Sequence, residues 1–244
     1  MKVIAIIPAA GLGTRMASAP SPRKPAATKQ FADLGGTPVL IHTLRKLLET
    51  SEVSEICVAL RASEIEGFRA RLTQEVHGSE RKKIQVVEGG DHRQQSVAHA
   101  LGAISAADDD IVLIHDAVRP FITPEIIREV IQAAQKYGAA IAGIPAVDTV
   151  KQVERTAEGA LITATFPRER VVMAQTPQGF HYRLLRKAFD EASADGFIGT
   201  DESSLLERSG HPVAVVMGSP RNIKITTPAD LDLAEFYLKT GGRL

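Results

Sequence analysis

Residues 3–16 read VIAIIPAAGLGTRM. Five apolar residues run into Pro8, followed by two alanines, two spaced glycines and Arg15. A strand that is apolar at every position is buried on both faces, as in a parallel sheet. The small residues that follow let backbone N–H groups approach an anion, and Arg15 adds a guanidinium able to grip phosphate oxygens with two bonds. Spacing speaks against two common phosphate turns. A dinucleotide-binding turn wants a third glycine or alanine three residues after the second, where this chain has Met16. The Walker pattern, a glycine followed after four residues by glycine-lysine-serine/threonine, is absent.

Outward from this stretch, short apolar runs alternate with helical stripes. ICVAL, IQVV, IVLI and AAIAGI repeat the buried-strand texture. Leu40, Leu44, Leu47 and Leu48 form one helical stripe, and Val97, Ala100, Leu101 and Ile104 another. Thr123-Pro124 opens a helix that ends near Gly138, and Thr227-Pro228 opens the last one. Such alternation predicts an α/β fold with a doubly wound, mostly parallel sheet and ligands at the carboxyl ends of its strands. Between Asp148 and about Thr176 the helical stripe disappears, and short β-like runs flank a polar turn at Glu158-Gly159. That segment reads as an extended β-hairpin arm, residues 148–174, on one domain of 244 residues.

Composition narrows the function. Lys+Arg and Asp+Glu are 29 each, so no global basic field points to nucleic acid. Cys57, the one cysteine, lies in an apolar run, which reads as a buried structural thiol in a reducing, cytoplasmic setting. No signal peptide is expected, since Pro8 breaks the first apolar run, and no stretch approaches a membrane span.

Further site-forming stretches lie at strand ends. The loop SAPSPRKPAATKQF carries Arg23, Lys24 and Lys29 among prolines, a basic rim suited to a polyphosphate. Gly90 and Asp91 follow one strand, where Asp91 reads either as a site residue or as the next helix's N-cap. Asp116 follows IVLIH, where a carboxylate can hold Mg²⁺. His115 reads as structural. Lys224 stands inside the apolar run NIKI, an uncomfortable place for a surface lysine.

Together PAAGLGTRM, KQF, GGDHRQQS, HDAVRP, TPQGF, TDESS and NIKIT resemble, in order and approximate spacing, the 2-C-methyl-D-erythritol 4-phosphate cytidylyltransferase family. The resemblance implies a Rossmann-like nucleotidyltransferase fold, CTP as co-substrate, Mg²⁺ and a homodimer with exchanged arms. It implies that Ala9, Ala10, Gly11 and Gly13 line the CTP site, with Gly90, Asp91 and Ser96 around the cytosine and Ala117 beside the ribose. Arg15, Lys29 and Lys224 would surround the triphosphate and Asp116 would hold the metal. Arg119, Thr149, Arg168, Thr176 and Thr200 would hold methylerythritol phosphate, with Arg168 acting in the neighbouring subunit. The chain departs from the family in having Thr28-Lys29-Gln30 after an insertion, where Pro-Lys-Gln in a shorter loop is usual. A cytidylyltransferase for another polyol phosphate, such as ribitol 5-phosphate, is the nearest rival. A nicotinamide oxidoreductase and a non-catalytic nucleotide sensor are more distant ones.

Overall fold

The computed structural model describes residues 1–11 and 28–241. In chain order its strands are β1 (Val3–Pro8), β2 (Asp33–Leu34), β3 (Thr37–Pro38), β4 (Glu55–Leu60), β5 (Ile84–Glu88), β6 (Ile111–Ile114), β7 (Ala139–Pro145), β8 (Val150–Thr156), β9 (Gly159–Phe166), β10 (Val172–His181) and β11 (Ala214–Met217). The helices are α1 (Val39–Leu48), α2 (Ala62–Glu75), α3 (Gly78–Arg81), α4 (Arg93–Ala103), α5 (Pro124–Tyr137), α6 (Tyr182–Ala194), α7 (Glu202–Arg208) and α8 (Pro228–Lys239).

Seven strands form the main sheet in the order β11-β7-β10-β6-β1-β4-β5. Neighbours are parallel except for the two pairs that β10 makes. Both faces of the sheet are covered, as the all-apolar strands require. Along β1, Val3, Ala5 and Ile7 enter a core with Leu44 of α1, Phe68 of α2 and Val130 of α5. Ile6 turns the other way, into a core with Leu101 of α4 and Phe189 of α6. Cys57 pairs in register with Ile6, and burial pushes its thiol up to about 12, so it stays a protonated core residue. No described helix is long and apolar enough to cross a membrane.

Helix ends follow their sequence signals. Thr123 accepts from the Ile126 N–H, Pro124 opens α5, and Gly138 closes it at φ 88°. Thr227 and Asp230 form a reciprocal capping box at α8. At α4, however, His92 rather than Asp91 supplies the cap, accepting from Gln95 N–H.

Three elements differ from the sequence reading. The paired hairpin spans β8 and β9, while Val172–Ala174, read as its end, already pair with β7 in the main sheet. Strand texture continues through residues 171–176, so nothing local marks the change of partner. The helix α2 buries only Phe68 and Leu72, too thin a stripe to register as periodic. NIKI does not join the sheet; it is tied down by Ile225 N–H to the Val118 carbonyl at 2.9 Å.

The antiparallel strand β10 is packed without slack. A Cβ on Gly179 would stand 2.9 Å from Val130 Cγ1 and 3.1 Å from Leu113 Cδ2. Gly179→Ala is expected to destabilise the fold by about 1–3 kcal/mol. Urea unfolding checks it: the midpoint should fall at constant slope. An unmoved midpoint would mean that β10 does not bear tightly on α5.

Candidate active site

From β1 the chain crosses to β4 and β5 on one side of the sheet, then to β6 on the other. That reversal opens a crevice above the carboxyl ends of β1 and β6. A cavity of about 220 Å³ occupies it, lined by Ala9, Ala10, Gly11, Lys29, Gln30, Arg93, Ser96, Asp116, Ala117 and Lys224 among others. Small residues are obligatory here. A Cβ on Gly89 would lie 2.6 Å from Ala10 Cβ and 3.0 Å from Ser96 Oγ, so only glycine lets β5 end against the β1 loop. Ser96 Oγ in turn accepts from Gly90 N–H at 3.0 Å.

Asp116 is the electrostatic centre. Lys224 Nζ lies 2.9 Å and Arg119 Nε 3.2 Å from Oδ2, and Arg93 Nε lies 3.5 Å from Oδ1. Burial alone would raise the Asp116 carboxyl, but Arg93, Lys224 and Arg119 outweigh it and hold the group well below the usual carboxylate range. Arg93 Nη1 also donates to both oxygens of Glu202, at 2.7 Å each. Glu202 is fully buried, which pushes its carboxyl upward against the pull of Arg93. Cations therefore outnumber the carboxylates, and the crevice is suited to polyanions.

Behind Asp116 a buried relay fixes its backbone. His115 Nε2 faces the Arg119 carbonyl at 3.2 Å, and a carbonyl can only accept, so Nε2 carries the proton. Nδ1 then accepts from the Thr176 hydroxyl at 3.1 Å, and the Thr176 oxygen accepts from Asp116 N–H at 3.0 Å. Burial drives the His115 pKa down to about 4, so the ring is neutral at pH 7. Its role is structural.

A second cavity, of about 200 Å³, adjoins the first and is lined by Arg119, Gln175, Thr176, Gln178, Thr200 and Asp201. Arg93, Asp116 and Lys224 line both. Two anion-sized spaces thus meet at one carboxylate and two cations.

The comparisons with known proteins agree on one family. Residues 3–240 match the family described as 2-C-methyl-D-erythritol 4-phosphate cytidylyltransferase. The chain belongs to that family. The enzyme of that name from Acidobacterium capsulatum is 58% identical over 240 residues, covering 98% of each chain. The one from Solibacter usitatus is 51% identical over 98% of this chain and 96% of its own. Among solved structures, the cytidylyltransferase of Thermus thermophilus has a TM-score of 0.75 at 33% identity, covering 98% of this chain and 100% of its own. The 4-diphosphocytidyl-2C-methyl-D-erythritol synthase of Anaerococcus prevotii has a TM-score of 0.80 at 30% identity, covering 98% and 96%.

Of the residues that the cytidylyltransferase resemblance implies, Ala9, Ala10, Gly11, Lys29, Ser96, Asp116, Ala117 and Lys224 line the first cavity. Arg119, Thr176 and Thr200 line the second. Gly90 and exposed Asp91 line neither cavity; Gly90 N–H donates to Ser96, which lines the first, and Asp91 N–H donates to Gln95 Oε1 at 2.8 Å. Thr149 and Arg168 line neither cavity; both are exposed on the arm side, where Arg168 Nη1 donates to the Val147 carbonyl at 3.2 Å. Gly13 and Arg15 lie outside the described residues, as does the 12–27 stretch. Sequence reasoning passed over Arg93, Glu202 and Asn222. The signal for Arg93 and Glu202 was present, an arginine inside GGDHRQQS and an acid inside TDESS, but nothing local reveals that they pair. Asn222 is fully buried and donates to the Thr176 carbonyl at 2.9 Å, while Arg119 Nη1 donates to the Asn222 carbonyl at 2.6 Å.

Proposed function

We infer that this chain transfers CMP from CTP to 2-C-methyl-D-erythritol 4-phosphate, releasing pyrophosphate, as a step of non-mevalonate isoprenoid biosynthesis. The observation that carries the reading is the pair of adjoining cavities with Arg93, Asp116 and Lys224 as common wall. An oxygen of the acceptor's phosphate attacks the α-phosphorus of CTP; the bond to the bridging oxygen breaks and its electron pair leaves on pyrophosphate. A phosphate monoester has a second pKa near ~6 and is already an anion, so no general base is needed. Neutral, fully buried His115 suits that economy. The protein's contribution is alignment and charge compensation. Lys29, Lys224 and Arg15 neutralise the triphosphate, the small residues Ala9, Ala10, Gly11, Gly13 and Ala117 admit the nucleotide, and Gly90, Asp91 and Ser96 meet the base. Arg119, Thr176 and Thr200 take the acceptor, joined by Thr149 and Arg168 of a neighbouring subunit.

Mg²⁺ is the proposed metal. Among the described residues no group of three or more His, Cys, Asp or Glu could cage an ion. An ionised Asp116 bordering both cavities fits an ion bound through one carboxylate and the substrate's phosphates. Such an ion draws charge from phosphate oxygens when bound. Asp116→Asn is expected to raise the Mg²⁺ concentration for half-maximal turnover by about tenfold or more, because an amide lacks the charge a hard cation prefers. A Mg²⁺ titration with an unchanged midpoint and rate would remove Asp116 from that role.

The chain works as one nucleotidyltransferase domain whose arm, the hairpin of β8 and β9, joins a homodimer. Val153, Leu161, Ile162 and Phe166 are exposed on an isolated two-stranded hairpin, which is marginal in water without a surface to pack on. Cys57, the one cysteine, is buried, which accords with a reducing, cytoplasmic setting. The deciding experiment is pyrophosphate release from CTP with methylerythritol phosphate, run beside ribitol 5-phosphate. Release with the first acceptor and not the second is the expected result; the reverse would transfer the chain to the rival acceptor.

A further inference from the structure

The first cavity has a wall made of two consecutive peptides, and both are held from behind. Gln30 Nε2 donates to the Ala9 carbonyl at 2.8 Å, and Arg61 Nε donates to the Ala10 carbonyl at 2.8 Å. Both peptides are trans, so each C=O and its N–H point in opposite directions. Fixing the two carbonyls therefore aims the Ala10 and Gly11 N–H groups the other way. Ala9 N–H is committed to the Ala59 carbonyl at 2.8 Å, whereas Ala10 and Gly11 N–H donate to no other described residue. Ala10 is nonetheless buried, and both residues line the cavity. Buried amides without partners are rare unless a ligand completes them.

Arg61 holds an unusual position for a half-buried arginine. It is the first residue after β4 and caps the start of α2. Its Nη2 is buried and has no partner among the described residues. Glu64, three residues on, forms no ion pair with it and accepts instead from Thr28 Oγ1 at 2.9 Å, next to Lys29. Oppositely charged neighbours in one helical turn are each committed to a different edge of the site. A guanidinium with an unsatisfied buried nitrogen is a poor stabiliser of the fold. Its contact with Ala10 is what gives it a use.

We propose that Arg61 is a positioning residue for CTP: by holding the Ala10 carbonyl it presents the Gly11 amide to the nucleotide as a preformed donor, beside the Ala10 amide that Gln30 fixes through the Ala9 carbonyl. The inference rests on the cytidylyltransferase reading, and its test separates the two. Steady-state kinetics of Arg61→Met and Arg61→Lys, varying CTP and methylerythritol phosphate in turn, are combined with melting temperatures. The expected result is a CTP KM raised by about tenfold in Arg61→Met, the scale of one hydrogen bond from a charged donor. The acceptor KM should stay put and the melting temperature should hold or rise. Arg61→Lys, which keeps a donor, should recover most of the loss. An unmoved CTP KM overturns the proposal, as does a joint rise of both KM values with a fall in melting temperature, which marks a merely structural residue. A lysine variant no better than methionine overturns it too. Were the wild-type chain to release no pyrophosphate from this substrate pair, the functional reading would fail instead.

Discussion

Lys224→Ala is expected to lower kcat for pyrophosphate release by about 10²–10³-fold, the usual loss when one preorganised transition-state donor is removed. Its ammonium sits 2.9 Å from Asp116 Oδ2, on the wall common to both cavities, where on the proposed mechanism charge shifts from the α-phosphorus to the leaving pyrophosphate. The backbone that carries it is anchored independently of the side chain. Asn222 and Ile225 on either side are fully buried, and Ile225 N–H holds the Val118 carbonyl at 2.9 Å. Folding should therefore survive, with an unfolding midpoint near the parent's. Lys29→Ala should show a loss of the same order for the same reason, since Lys29 lines the nucleotide cavity. A Lys224→Ala enzyme within tenfold of wild type, folded and saturable by CTP, would contradict the charge-compensation account.

Mixing two inactive variants, Lys29→Ala and Arg168→Ala, should restore about a quarter of wild-type activity after joint unfolding and refolding, if arms exchange across a two-fold axis. Arg168 stands on the arm with its side chain 59% exposed, and among the described residues it meets the Val147 carbonyl and, weakly, Glu169, neither of which lines a cavity. The hairpin that precedes it shows apolar side chains to water. In the proposed dimer, a partner that covers them would carry Arg168 toward the second cavity of the other subunit. In a mixed dimer the subunit with intact Lys29 then receives intact Arg168, while the other site lacks both. Half the dimers are mixed and half their sites work. If Arg168 serves its own subunit, every site lacks one residue and the mixture stays dead.

The sheet and its crevice were legible because their signals are local. An all-apolar run ending in Pro8-Ala9-Ala10-Gly11 announces a central strand with a ligand end, and IVLIH followed by Asp116 announces another. Contacts between distant stretches were not legible. Arg93 and Glu202 are 109 residues apart and meet only because α4 and α7 flank the same strand ends. The antiparallel β10 was hidden for a related reason: its exposed first half reads like the arm it follows, and its buried second half looks like a site motif. Asp91 had a cap-like position, yet His92 took the role by a shift of one residue, a distinction that no propensity resolves.

The two cavities hold only Arg93, Asp116 and Lys224 in common. That makes the enzyme modular in a way open to selection and to engineering. Gln175, Thr200 and Asp201 border the second cavity alone, the proposed acceptor space, whereas Ala9, Ala10, Gly11 and Ser96 border the first alone, the proposed nucleotide space. On the proposed reading, substitutions on the first set would reshape which alcohol phosphate is accepted without disturbing how the cytidine donor is gripped. Acceptor choice would then be open to change while the donor and the chemistry stay fixed.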